Sequence, residues 1–146
     1  MILCEFPAEE KWNLLYRASQ DGFETAQFHS KCENKPNTLV VIKSTNGNVF
    51  SGYTEQSWKQ TQTYDYKADP NSFIFSLMNK DNKPLKIKWS RNACFLCRNN
   101  YGPVYGWSVC GSDIVIKDKS NINKDSSSNL GASYTHPSYA FGPNHS

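Results

Sequence analysis

Four residues have types and spacings that could bind a metal or cycle a disulfide. Cys94 and Cys97 form Cys-Phe-Leu-Cys, and His29 and Cys32 stand three apart in His-Ser-Lys-Cys. In a reducing compartment a C-x-x-C can be a redox pair or half a zinc site. The redox role needs the first cysteine at a helix N-terminus, where its thiol pKa is lowered. Ala93 to Cys97 reads instead as a short strand, which sends the two sulfurs to opposite faces. The zinc role needs a helix carrying His29 and Cys32 to meet that strand at one point. The alternative is that Cys32 and Cys94 are small buried hydrophobes and His29 is exposed or simply hydrogen-bonded. A second set is basic: Lys80, Lys83, Lys86, Lys88 and Arg91, with Trp89 beside them. Lysines among aromatics can track RNA, while outward lysines on a strand also keep it soluble and discourage edge pairing. Catalytic sets are missing. His29, His136 and His145 have no nucleophile motif such as G-x-S-x-G, and there is neither a P-loop nor a dinucleotide fingerprint. Gly102, Gly106 and Gly111 are too widely spaced to cradle a phosphate. The residues give no positive reason to expect an enzyme, and no catalytic, cofactor or metal position is assigned.

The 146 residues suit one domain, 1–146, with a single sizeable core. Aromatic content of 14% indicates a packed protein, and a net charge of +3 is too small to imply a polyanionic partner. No apolar run approaches the roughly 18 residues of a membrane span. Met1-Ile2-Leu3 is followed at once by Cys4-Glu5, leaving no signal-peptide core. Five cysteines are an odd number with no disulfide-scaffold spacing, so reduced thiols and a cytoplasmic location are expected.

The elements that would position these residues centre on Thr38 to Thr54, two β-prone runs around Asn46-Gly47. That pair predicts a hairpin with a two-residue type I′ turn. Ser44 then faces Val49, Ile42 faces Ser51, and Val40 faces Tyr53. One face carries Val40, Ile42, Val49 and Tyr53, and the other Leu39, Val41 and Phe50. Both are apolar, so both are expected to be covered. Upstream, Glu9 to Arg17 fits a helix face through Trp12, Leu15 and Tyr16, or a strand through Trp12, Leu14 and Tyr16. Phe23 to Cys32 reads as a short helix with Phe28 and Cys32 on one face, closed before Pro36. Glu55 to Asn71 reads as a surface loop pinned by Trp58 and Tyr66. Ser72 to Met78 is a strand with Phe73, Phe75 and Leu77 on one face and Ile74 and Met78 on the other, and 79–84 a turn. Leu85 to Trp89 is a strand with Lys86 and Lys88 outward. Tyr101 to Gly111 reads as loop, Asp113 to Lys117 as strand, and 118–129 as a flexible Ser/Asn-rich loop. The sum is a mainly β (α+β) fold, a two-layer antiparallel β-sandwich with a few short helices.

In order and spacing these segments resemble the TLDc domain family. Trp12-Asn-Leu-Leu-Tyr-Arg17 with Asp21-Gly22-Phe23 is similar to the family's opening block. Leu39-Val-Val-Ile-Lys43 and Gly47-Asn-Val-Phe-Ser-Gly-Tyr53 resemble its central hairpin, and Phe73-Ile-Phe-Ser-Leu77 the strand that follows. Tyr101-Gly-Pro103, Asp113-Ile-Val-Ile116 and Ser133-Tyr-Thr-His-Pro137 resemble its late segments. The resemblance implies a two-sheet sandwich and tilts Trp12–Arg17 toward strand. It also implies protection from oxidative damage and regulation of the vacuolar proton-pumping ATPase by protein contact, with no catalytic residue to carry over. Ser51 departs from the family's usual glycine, beside a Gly52 where something is expected to pack closely. The family continues into a Glu-rich closing strand, so a chain ending at Ser146 is expected to be truncated, with a sheet edge left unpaired.

Overall fold

The Thr38–Thr54 stretch folds as a hairpin and starts one of two antiparallel sheets. In the computed structural model, which describes residues 11–63, 65–78, 84–88, 94–106, 111–128 and 134, β1 (Thr38–Lys43) pairs with β2 (Val49–Thr54). The register lies one residue from the expected one: Lys43 faces Val49, Ile42 faces Phe50, and Val40 faces Gly52. The turn is the cause. Ser44 N–H donates to Asn48 O at 2.9 Å and Gly47 N–H to Ser44 O at 3.0 Å, which makes a three-residue loop. Gly47 has φ +87° while Thr45 and Asn46 keep negative φ. This is a type I turn followed by one left-handed residue, not a type I′ turn.

The slip redistributes the side chains. Val40, Ile42 and Phe50 pack toward the core, whereas Val49 and Tyr53, expected beside Val40, belong to the opposite face with Leu39, Val41 and Ser51. That face is not fully covered, since Val41 is 59% exposed.

The first sheet has the order β1-β2-β4-β5, with β4 at Phe73–Met78 and β5 at Leu85–Lys88. Ile74 and Ile87 pair and are buried, and Phe73 and Phe75 share the other face, the outer one; Met78, expected beside Ile74, is exposed, because the register shift at Val49/Phe50 sets it opposite Val49. The second sheet has the order β3-β6-β7-β8-β9: β3 (Asp65–Ala68), β6 (Cys94–Cys97), β7 (Tyr101–Tyr105), β8 (Ile114–Lys117) and β9 (Ser127–Ser128). Two helices, α1 (Ala18–Asp21) and α2 (Thr25–Cys32), precede both sheets. The β-sandwich-like α+β architecture is the expected one.

Several segments differ from expectation. Residues 11–17 form neither helix nor strand. Glu55–Asn71 is more than a surface loop: it contains β3, and Trp58 lies in the core at 1% exposure. Tyr101–Gly111 opens with β7, whose Val104 and Tyr105 are fully buried. Pro103 concealed this strand, because proline donates no ladder hydrogen bond; it sits where the β7–β8 register shifts, between Tyr101 and Val104. Residues 118–128 hold consecutive turns and then β9. The turn expected at 79–84 and the segments expected at 1–10 and 130–146 lie almost wholly outside the described residues.

The two layers meet through aromatics. Phe28 on α2 stands edge-to-face with Tyr16 at 5.8 Å and with Trp58 at 5.2 Å, and Trp58 with Tyr105 at 5.9 Å. Trp58 Nε1 donates to Thr38 Oγ1 at 2.8 Å, which satisfies its buried N–H. The Tyr105 ring lies on Gly52, where an added Cβ would come within 2.5 Å of it, and Tyr105 O–H donates to Gly52 O at 2.9 Å. Close packing at Gly52 is thus borne out, with Tyr105 as the packing group.

Candidate functional site

The His29–Cys32 pair sits where the helix reading places it, on the inner face of α2. Both ring nitrogens of His29 are engaged. Nδ1 lies 2.7 Å from Glu33 Oε1, while Nε2 lies 3.0 Å from Arg98 O and 2.9 Å from Tyr101 O. Carbonyl oxygens only accept, so Nε2 carries hydrogen and has no lone pair to give a metal. The hydrogen-bonded alternative for His29 is the one observed, and the exposed one is not: the residue is 3% exposed. Cys32 is a free, buried thiol. Burial pushes its pKa up to about 11, with Asp21 and Glu33 adding to the shift. A thiol held protonated is a poor nucleophile and a poor ligand. Cys94 and Cys97 occupy the two ends of β6, the strand expected for them. Their side chains lie outside the described residues, so the four-ligand set is not assembled by what the structure describes.

These bonds have a structural use. Thr25 N–H, in the first turn of α2, donates to Asp118 Oδ1 at 2.8 Å, so a carboxylate just beyond β8 caps the helix from 93 residues away. At the other end His29 ties α2 to the turn joining β6 and β7. Asp118 carries no local signal for this role, because the partner is remote in sequence.

A second buried polar group lies between the sheets. Asp69 Oδ2 accepts from Thr54 Oγ1 at 2.6 Å and from Glu55 N at 2.8 Å, and Oδ1 accepts from Asn71 N at 3.2 Å. Ser72 Oγ donates to Asp69 O at 2.8 Å and lies 2.7 Å from Tyr134 Oη, so the tyrosine hydroxyl is the donor there. Asp113 accepts from Tyr134 N at 3.3 Å through both oxygens. Each contact spans a turn or joins two segments, the work of a latch. Asp69-Pro70-Asn71 closes the stretch read as a surface loop, and nothing local marks Asp69 as the anchor of β2.

The surface offers more. On the outer face of the first sheet Tyr53 stacks on Phe73 at 5.2 Å, and Phe73 lies 6.0 Å from Phe75. Lys86 Nζ stands 4.3 Å over the Phe73 ring. Leu77 and Met78 are exposed at the end of β4, and Val41 on β1. Ser51, in the middle, has no exposed surface, and its Oγ finds no hydrogen-bond partner among the described residues. A second apolar stretch, Trp12 to Leu15, is exposed ahead of α1. Of the basic set weighed as a nucleic-acid track, Lys86 packs on this aromatic row and Lys88 ends β5; Lys80, Lys83, Trp89 and Arg91 lie outside the described residues.

The profile of the TLDc domain family matches residues 2–145. Among curated proteins the chain is similar to the MTOR-associated protein MEAK7 of Gallus gallus, 32% identical over 78 residues, covering 52% of this chain and 16% of the relative. It is also similar to the MEAK7 proteins of Danio rerio, 26% identical over 45% of this chain and 14% of the relative, and of Xenopus laevis, 28% identical over 49% and 15%. The matches thus span about one-seventh of the length of these relatives. No solved structure gives a significant match. With the family profile covering almost every residue of a two-sheet sandwich, the chain belongs to the TLDc domain family.

Proposed function

We propose that this chain is a non-catalytic, cytoplasmic interaction domain, which regulates a larger assembly by presenting a surface to a protein partner. The observation that carries this reading is the outer face of the first sheet, where Val41 is exposed, with Leu77 and Met78 at the end of β4, beside the half-buried Tyr53, Phe73 and Phe75. The buried side chains of His29, Asp69 and Asp113, by contrast, are used in bonds that hold the fold together. The name of these MTOR-associated relatives supports an mTOR-containing assembly as one partner class. The TLDc resemblance supports the vacuolar proton-pumping ATPase as the other, with protection from oxidative damage as a downstream effect. Among the described residues no helix is long and apolar enough to cross a membrane, which fits a domain recruited by protein contact. Affinity isolation with the immobilised chain tests the proposal, reading mTOR and vacuolar ATPase subunits by antibody. Enrichment of either over blank resin is expected. Enrichment of neither by a chain shown to be folded defeats the reading.

A further inference from the structure

Among the described residues four strands end the two sheets, and β1 is the one with no guard against a further strand. β3 and β5 carry a charge at every second residue, and β9 is two residues long. Charges and short length are common ways to keep an edge from pairing. β1 has six residues, four of them apolar in a row, no proline, and one charge, Lys43, at its end.

The hairpin register shows which groups β1 offers. Ser44 N–H donates to Asn48 O, so these two residues form a hydrogen-bonded pair. Bonded and non-bonded pairs alternate along antiparallel strands, so the next bonded pairs are Ile42 with Phe50 and Val40 with Gly52. Leu39, Val41 and Lys43 therefore turn N–H and C=O away from β2, and among the described residues no strand lies on that side. Their side chains share the outer face, where Val41 and Lys43 are exposed.

We propose that β1 pairs antiparallel with β1 of a second copy of this chain, about a two-fold axis through Val41, joining the two first sheets into one. This axis sets Val41 against Val41 and each Leu39 against a Lys43, so every outward N–H and C=O of these residues finds a partner. An axis between Leu39 and Val41, or between Val41 and Lys43, leaves one of them out, and an axis at Lys43 opposes two lysines. With the axis at Val41 the lysines stand about 14 Å apart, four residues at about 3.4 Å each. That exceeds the roughly 8 Å over which exposed charges act at physiological ionic strength. On the inner face the half-buried Val40 and Ile42 meet across the axis and extend the apolar layer they already belong to. β1 is thus its own complement in charge and in hydrogen bonding, whereas β3 or β5 of another copy would bring further charges to the pairing. One strand pair is small beside the about 1,200–2,000 Å² of a stable interface, so a dissociation constant on the order of 10–100 µM is expected. The contact is independent of the partner reading above, and either can fail alone.

The test is sedimentation equilibrium of the full chain across concentrations bracketing that value, joined to amide exchange read by NMR. Expected is a monomer–dimer equilibrium in which the amides of Leu39, Val41 and Lys43 exchange freely in the monomer and are protected in the dimer. Val41→Pro removes the N–H at the axis from a position that gives no bond to β2, so the hairpin ladder stays and the dimer is lost. Leu39→Lys sets a lysine against Lys43 and should raise the dissociation constant at least tenfold, and adding Lys43→Glu should bring it back. A melting temperature like that of the wild type, taken where the wild type is monomeric, shows each variant to be folded. A monomer at every concentration overturns the proposal, also where those amides are protected, since the edge then belongs to another segment. So does a species larger than a dimer, a dimer that survives in folded Val41→Pro, or a Leu39→Lys variant with no effect or no rescue.

Discussion

Replacing Gly52 by alanine should break the contact on which the two sheets close. A Cβ there would lie 2.5 Å from Cε2 and Cζ of Tyr105, about 1 Å inside normal carbon–carbon contact. Neither partner can yield easily. Gly52 is on a strand paired on both sides, and Tyr105 is fully buried with Trp58 against its ring. Overpacking of this kind costs about 1–3 kcal/mol, and displacing the ring endangers the Tyr105–Gly52 hydrogen bond, about 1 kcal/mol more. A loss of about 2–4 kcal/mol corresponds to a fall in melting temperature of roughly 10 °C for a chain of this size. Urea unfolding followed by tryptophan fluorescence measures it, since Trp58 adjoins the contact. The decisive control is Tyr105→Leu, which removes the ring atoms that clash. In that background Gly52→Ala should cost less than about 1 kcal/mol. If the two substitutions add, or if Gly52→Ala alone leaves the urea midpoint unchanged, the packing argument is refuted.

Other substitutions probe the remaining joints. Gly47→Ala should lower stability by about 1 kcal/mol through its positive φ alone, because no atom lies within 4 Å of the added methyl; equal urea midpoints would rule out the left-handed turn residue. Asp118→Ala should cost about 1–2 kcal/mol by uncapping α2, with Asp118→Asn recovering part of it; equal effects of both would remove the charge from the explanation. Burial, then Cys32, Asp21 and Glu24, raises Tyr16 from 10.0 to about 12, and burial raises Cys32 from 9.0 to about 11. Above about pH 9 the unfolded chain therefore binds fewer protons than the folded one, and stability should fall as pH rises from about 9 to 12. A urea midpoint that holds from about pH 7 to 8 yet drops by about pH 10.5 is the expected result, and a flat profile would contradict it. With its pKa pushed up to about 11 by burial, Cys32 stays a thiol at pH 8, so a thiol reagent should reach it only after unfolding.

Strong local signals in the sequence marked β1, β2, β4, β5, β6, β8 and α2, whereas β3 and β7 lay in stretches read as loop, placed as strands by contacts remote in sequence. The Asn46-Gly47 pair located the hairpin, but the same residues suit a two-residue or a three-residue loop. The choice between them moved Phe50 into the core and Val49 and Tyr53 out of it. Phe28 and Cys32 were legible as one helix face because their spacing is local. Trp58 was read only as a pin for a surface loop and Tyr105 was hidden behind Gly102-Pro103, and their full burial depends on a partner sheet that no periodicity reveals. His29 was read as a possible ligand from its spacing to Cys32. Its actual partners, the carbonyls of Arg98 and Tyr101, carry no residue-type signal, since any residue supplies a carbonyl. The outer-face lysines were visible in the sequence, yet their relation to Phe73 and Phe75 needed the register.

The most direct test of function by surface contact compares three chains in one binding measurement: wild type, Val41→Asp on the outer face, and His29→Gln in the buried cluster. Capture of vacuolar ATPase or mTOR would be scored per folded molecule. Val41→Asp should lose at least tenfold of the capture with an unchanged melting temperature, while His29→Gln keeps it once its lower folded fraction is taken into account. Full capture by Val41→Asp together with loss in folded His29→Gln would contradict the surface and return the function to the buried His29 and Cys32.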